Sequence, residues 1–280
     1  MKTAFIALKI TKRITRFSLV LIGSYLLLNI LFFAFQKKII FQPDKLHSDH
    51  TFNFETPFEE FYIPVENQKI NALYFKTQND KKGVILYLHG NADNLDRWGK
   101  YASDFTTRGY DILMIDYRGY GKSEGKASEP NIYKDAEATF NWLSKTTDNQ
   151  QIIIYGRSLG SGPASYLAAQ HKVKMLILET PFENMDCVDD NKLPLMSYLF
   201  QPKVKFPNDE YLQKVDFPIF IFHGTEDFIV PYDCAKGLEQ FLKPTDKFIT
   251  IEGGGHRNLN EFEVFNKQLD LILNNNESSK

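Results

Sequence analysis

The stretch QIIIYGRSLGSGPASYLAAQ, residues 151–170, decides the fold. Apolar and β-branched residues run into Gly156-Arg157-Ser158-Leu159-Gly160, and small residues then open a helical pattern. A buried strand is expected up to Gly156 and a helix from Leu159 to Gln170. A lone serine between two glycines at such a junction has two readings. One is a tight turn. The other is a nucleophile at a strained backbone angle, which only very small neighbours two positions away tolerate, with its hydroxyl presented at the top of a sheet. That second reading also aims the Leu159 amide, at the helix start, toward a developing oxyanion. Pro163 suits an early helical turn, whose amides lack intrahelical partners.

A serine nucleophile needs a base, and the base needs an orienting acid. With an elbow of this kind both follow the serine in the chain, on loops after later strands. Only His171, His223 and His256 come after Ser158. His256 lies in IEGGGHRNL, directly after the last strand pattern, where a glycine-rich loop can carry an imidazole over the sheet, and is the expected base. As an ordinary loop residue it would instead cap the following helix. For the acid, IFIFHGTEDFIVP offers Glu226 and Asp227, and Glu179 ends an earlier strand; an aspartate at 227 could equally cap the helix after Pro231. The third strand pattern ends in YLHGNADN, whose loop would supply the second oxyanion amide from Asn91, with Ala92 as the alternative, while His89 braces the loop.

Around these residues lie eight segments of strand length: EFYIPV, INALYFK, GVILYLH, DILMIDY, QIIIYG, MLILE, IFIFH and KFITIE. The last six are nearly continuous in large apolar residues, as strands buried on both faces of a parallel sheet are. Helical patterns separate them at residues 95–108, 132–146, 159–170, 233–241 and 261–273. The alternation predicts an α/β fold, an about eight-stranded and mostly parallel sheet with helices on both faces and ligands beyond the strands' carboxyl ends. One longer interval, 181–217, carries Phe182, Met185, Leu193, Leu195, Met196, Leu199 and Phe200, enough for a small cap over the sheet.

The amino terminus differs in kind. FSLVLIGSYLLLNILFFAFQ, residues 17–36, has no charge and would span about 30 Å as a helix, a transmembrane anchor. It lacks a small-x-small cleavage site and is longer than a signal-peptide core. Five bases precede it, within a basic segment 1–16, and Lys37, Lys38 and Lys45 follow, an asymmetry that places the main domain on the non-cytoplasmic side of a single-pass protein. Residues 37–54 are expected as a polar tether and 55–275 as the main domain. Residues 39–280 hold 26 bases against 35 acids, a net of −9, which disfavours nucleic acid as a partner. Cys187 and Cys234 can form one disulfide or remain two thiols. No His, Cys and acid cluster has metal-ligand spacing, and neither metal nor cofactor is expected. RGYGKSEG is no phosphate loop, because Asp116 stands where that pattern requires glycine.

HGNADN, DYRGYGKSEG, GRSLG, HGTEDFIVP and GGGHRNL, in that order, resemble the α/β-hydrolase superfamily, over residues 58–273. With the single anchor, the chain is similar to its membrane-anchored serine hydrolases, a branch that includes depalmitoylating thioesterases and stands beside serine aminopeptidases. The resemblance implies an α/β-hydrolase fold and a Ser158, His256, Asp227 triad, since the superfamily's acid usually precedes a segment such as Ile229-Val230-Pro231. It implies backbone oxyanion donors at Asn91 and Leu159. The expected activity is cleavage of an ester or thioester of a small-molecule or lipid-like acyl substrate. A peptidase with the same machinery, or a non-catalytic scaffold that binds a partner, are the other readings. The cap, which sets specificity, matches no named pattern, so the acyl and leaving groups stay open.

Overall fold

The computed structural model describes residues 2–192 and 204–274. Its elements in chain order are α1 (Lys2–Ile40), β1 (Phe58–Val65), β2 (Gln68–Phe75), β3 (Gly83–Leu88), α2 (Leu95–Trp98), α3 (Ser103–Thr106), β4 (Tyr110–Ile115) and α4 (Glu129–Leu143). They continue with β5 (Ile152–Arg157), α5 (Ser161–Gln170), β6 (Met175–Glu179), α6 (Met185–Lys192), α7 (Asn208–Leu212), β7 (Ile219–Gly224), α8 (Tyr232–Lys236), β8 (Lys247–Ile251) and α9 (Glu263–Asn274). The strands form one sheet in the order β1-β2-β4-β3-β5-β6-β7-β8. The β1/β2 and β2/β4 pairs are antiparallel and the other five parallel. All eight strand segments read from the sequence are present.

Every residue of β3, β4, β5 and β6 is buried, because side chains alternate between two cores. Ile152 and Ile154 pack with Ala164 and Leu167 of α5 and Phe140 of α4 on one face. Ile153 and Tyr155 pack with Phe105 of α3 on the other, in the same core as Phe265 and Leu269 of α9. The last strand departs from the pattern: β8 is half-buried along most of its length because it ends the sheet. The helix expected at 95–108 is two short helices joined by a 3₁₀ turn at Gly99–Ala102, where Gly99 lies against the Phe54 ring. Its amino end is capped by the Asn94 side chain, which accepts from the Asp96 amide.

Residues 41–54, expected within a tether, are packed along the domain. Helix α1 continues to Ile40, and Phe41 is buried edge-on to Phe206. The Gly121 amide donates to Asp44 O at 2.8 Å, the Leu46 amide to Gly121 O at 3.1 Å, and Lys45 Nζ to Ser123 O at 2.6 Å. Phe52 is buried against Phe54. Aromatic residues interleaved with the polar ones explain the difference: they bury apolar area that an extended tether would leave in water.

The cap interval contributes α6 and α7, with Phe182 and Met185 buried. Leu193, Leu195, Met196, Leu199 and Phe200 lie outside the described residues. Cys187 of α6 is bonded to Cys234 of α8, with Cα atoms 5.8 Å apart and a sequence separation of 47. In the chain-entropy description a loop of that size contributes about 4 kcal/mol. Replacing both cysteines by serine should therefore lower the melting temperature by roughly 10 °C, read by scanning calorimetry. An unchanged melting temperature would show that the bond constrains nothing.

Candidate active site

The carboxyl ends of β5, β7 and β8 bring the candidate residues together. Ser158 follows β5 directly, with φ = 53°, the left-handed region that a residue carrying Cβ seldom enters. The turn is tight enough to exclude any larger neighbour. A Cβ on Gly156 would lie 2.5 Å from Gly160 O and from Ala164 Cβ, and a Cβ on Gly160 would lie 2.0 Å from Leu88 O. The two glycines are thus steric conditions for the sharp turn that carries Ser158.

His256, on the loop after β8, turns Nε2 to 2.9 Å from Ser158 Oγ and Nδ1 to 2.7 Å from Asp227 Oδ2. The carboxylate can only accept, so Nδ1 carries the proton and Nε2 is free to accept from the serine hydroxyl. Asp227, on the loop after β7, takes the Ile229 and Val230 amides on Oδ1, each at 2.8 Å. Burial pushes its carboxyl up, but the hydrogen bond and charge of His256 and the Val230 amide outweigh burial and hold it below the usual carboxylate range. A carboxylate depressed in this way contributes stability that is present above its unfolded pKa and lost as pH falls through the folded value. His223 Nε2 donates to Val230 O at 3.0 Å beneath the same loop, and burial, outweighing nearby Asp227, keeps the ring toward its neutral form.

The other candidates take different places. Glu226 is exposed, and its backbone amide donates to Gly254 O at 2.8 Å. Glu179 is buried beside Arg157, with Oε1 3.2 Å from Arg157 Nε and Oε2 accepting from Tyr155 Oη at 2.6 Å. His171 pairs with Glu137 at 2.8 Å. His89 is fully buried, donates from Nδ1 to Gly90 O at 2.7 Å, and stacks on Trp98, so it braces the loop after β3.

That loop brings Asn91 and Ala92 to the same cavity as Ser158 and Leu159. The Asn91 side chain faces away from the serine's role: its Oδ1 accepts from the Gln42 amide and from Tyr120 Oη, each at 3.0 Å. Its own amide makes no hydrogen bond among the described residues. Leu159 sits in the first turn of a helix, where amides have no intrahelical acceptor. Among the described residues no group of three or more His, Cys, Asp or Glu side chains is placed to hold a metal ion.

The cavity above Ser158 measures 390 Å³. Phe182, Met185 and Val188 from the cap, Ile229 and Val230 from the acid loop, and Ile40 from the end of α1 make it largely apolar. Three residues escaped the reading of the sequence. Ile40 falls in the segment 37–54 expected as a tether, and only its packing makes it a wall. Trp98 closes the base beside Arg157. Arg157 ends β5 in register with Glu179 at the end of β6, so a base and an acid meet across neighbouring parallel strands, a pairing that only the sheet order creates.

The sheet order, the glycine-flanked turn after β5 and a serine, histidine and aspartate within hydrogen-bond reach beyond the strands' carboxyl ends define an α/β hydrolase. Residues 83–201 match the family model described as the alpha/beta hydrolase fold. Alpha/beta hydrolase domain-containing protein 17B of Homo sapiens is 31% identical over 215 residues, 74% of this chain and 70% of that one. Protein ABHD12B of Homo sapiens is 30% identical over 190 residues, 61% of this chain and 52% of its own length. Among solved structures, the esterase Pf2001 of Pyrococcus furiosus superposes with a TM-score of 0.67 at 19% identity, covering 84% of this chain and 98% of that one. Est1E of Butyrivibrio proteoclasticus, solved with ferulic acid, gives 0.60 at 18% identity over 78% of this chain and 97% of its own. The chain belongs to the α/β-hydrolase superfamily.

Proposed function

We propose that the protein is a membrane-anchored serine hydrolase that cleaves an ester or thioester with an apolar acyl chain. The observation that carries this reading is the hydrogen-bonded series Ser158, His256, Asp227 at the floor of an apolar cavity. His256 Nε2 removes the proton as Ser158 Oγ attacks the acyl carbonyl, and Asp227 holds the imidazole in the required tautomer. The Leu159 and Asn91 amides stabilise the oxyanion, a contribution of about 3 kcal/mol per donor at such sites. His256 then returns the proton to the leaving group, the ester of Ser158 forms, and water attacks that ester by the same route in reverse.

The anchor reading rests on α1. Within it Ile10–Phe35 is long and apolar enough to cross a membrane, with a mean hydropathy of 2.2, and Phe17, Leu19, Val20 and Leu27 each expose more than half of their surface. The proposed organisation is a basic segment 1–16, an anchor 17–36, a packed connection 37–54 and a hydrolase domain 55–275. Because Ile40 lines the cavity only five residues beyond the apolar stretch, about 8 Å along a helix, the acyl site opens close to the bilayer surface. That proximity favours a membrane-borne acyl group. The Cys187–Cys234 bond supports a domain outside the reducing cytoplasm, as the flanking bases do.

A fluorophosphonate probe tests the chemistry. Full-length protein should become covalently labelled at Ser158, located by mass spectrometry, and His256→Ala should slow that labelling by removing the base. Folded protein that takes no label would end this reading and favour the non-catalytic scaffold.

A further inference from the structure

The cavity has two unlike walls. Ile40, Phe182, Met185, Val188, Ile229 and Val230 form one, and the other is a contiguous series of Arg97, Trp98, Arg157 and Arg257. Arg97 and Arg157 both lie over the Trp98 ring, with guanidinium carbons 5.2 and 5.6 Å from its centroid, and Arg157 Nη2 donates to Arg257 O at 3.1 Å. None of the residues lining the cavity is acidic. Two of the three guanidinium groups are paired, Arg97 with Asp93 and Arg157 with Glu179. The side chain of Arg257 has no ion pair or hydrogen bond among the described residues.

Its backbone is nevertheless held firmly. The bond from Arg157 secures its carbonyl, and Asn258 Oδ1 accepts from the Gly255 amide at 2.8 Å across the same loop. Arg257 is exposed among the residues that line the cavity, and its cation has no counter-charge among the described residues. Its position in the chain gives that charge a meaning. In acyl transfer the group that departs must lie against His256 Nε2, which protonates it, and Arg257 is the next residue. The apolar wall remains for the acyl chain.

Resting on the serine-hydrolase reading, we infer that the Arg97–Trp98–Arg157–Arg257 wall is a leaving-group subsite for an anion. The preferred substrates are then acyl esters or thioesters whose leaving group carries a phosphate or carboxylate. Either anion fits a guanidinium bidentately. The reaction needs no further reagent. The acyl carbon exchanges its bond to the leaving oxygen or sulfur for one to Ser158 Oγ. The leaving group departs with the proton from His256, and its anion stays paired with Arg257 until release.

The test compares pairs that share a lauroyl chain and differ in leaving-group charge, using full-length protein in phosphatidylcholine nanodiscs. Lauroyl coenzyme A and lauroyl thioglycolate, bearing phosphate and carboxylate, are set against the neutral lauroyl N-acetylcysteamine. Lauroyl lysophosphatidate is set against monolauroylglycerol, to separate a soluble from a lipid source of the anion. The anionic member should have the higher kcat/KM by about tenfold, the effect of one charge-assisted hydrogen bond at a partly exposed site. Arg257→Gln should bring that ratio toward one, Arg257→Lys should keep part of it, and Arg257→Glu should invert it. A ratio unchanged by Arg257→Gln, in protein whose Ser158 still takes a fluorophosphonate, overturns the subsite alone. Absence of both labelling and hydrolysis overturns the hydrolase reading and the subsite with it.

Discussion

Ser158→Ala should reduce turnover by roughly 10⁴-fold or more while leaving the unfolding transition in place. Alanine keeps Cβ and with it the same conformational demand at φ = 53°, so the backbone has no new reason to move. What disappears is the hydroxyl that approaches His256 Nε2 at 2.9 Å, and with it the covalent route. Residual rate would come from the oxyanion amides and the cavity, which still bind and polarise the carbonyl. The measurement is a steady-state rate on a lauroyl thioester beside a thermal melt of the same sample. Turnover within tenfold of the natural protein would mean that another group is the nucleophile.

The second large effect is one of stability. Arg157→Met should destabilise the fold by about 3–5 kcal/mol, because it leaves the buried Glu179 carboxyl without its ion-pair partner. Both residues are 3% exposed. Burial works against the charge of Arg157, but Glu179 outweighs it and the guanidinium is held charged. Tyr155 Oη still donates to Glu179, one neutral donor where a cation had been. A second substitution, Glu179→Gln, should then recover about 2 kcal/mol, since the pair is coupled and the costs do not add. Urea unfolding of the two single variants and the double variant measures this; simple additivity would show that the ion pair holds nothing together. The change should also slow the chemistry, because the bond from Arg157 to Arg257 O fixes the loop that carries His256.

Legibility differed between strands, loops and connections for physical reasons. Strands buried on both faces announce themselves as unbroken apolar runs, so β3 to β7 could be read singly, and β5 with its glycines identified the turn. The acid was less accessible. Glu179, Glu226 and Asp227 all stand near strand ends, and neither composition nor spacing says which carboxylate meets an imidazole 29 residues later. The loop after β7 does, by turning the Ile229 and Val230 amides onto one Asp227 oxygen and leaving the other for His256. The packing of the connection at 41–54 is not legible because its Phe41, Phe52 and Phe54 are dispersed among polar residues. A scattered aromatic carries no period until the surface it packs on exists.

From its own residues the chain determined the alternating α/β order, the apolar amino-terminal helix, the glycine-flanked serine and the pair of loops that follow it. Those features are local: they depend on hydrophobic period, on the absence of Cβ at Gly156 and Gly160, and on chain order. Tertiary structure alone decided that Ile40 at the end of the apolar helix is a wall of the cavity, that Arg157 is tied to Glu179 across β5 and β6, and that Cys187 meets Cys234. It also set the exposed Arg257 among the residues lining the cavity, without a side-chain partner among the described residues. Each of those is a contact between segments far apart in sequence, and no local pattern specifies distance in space.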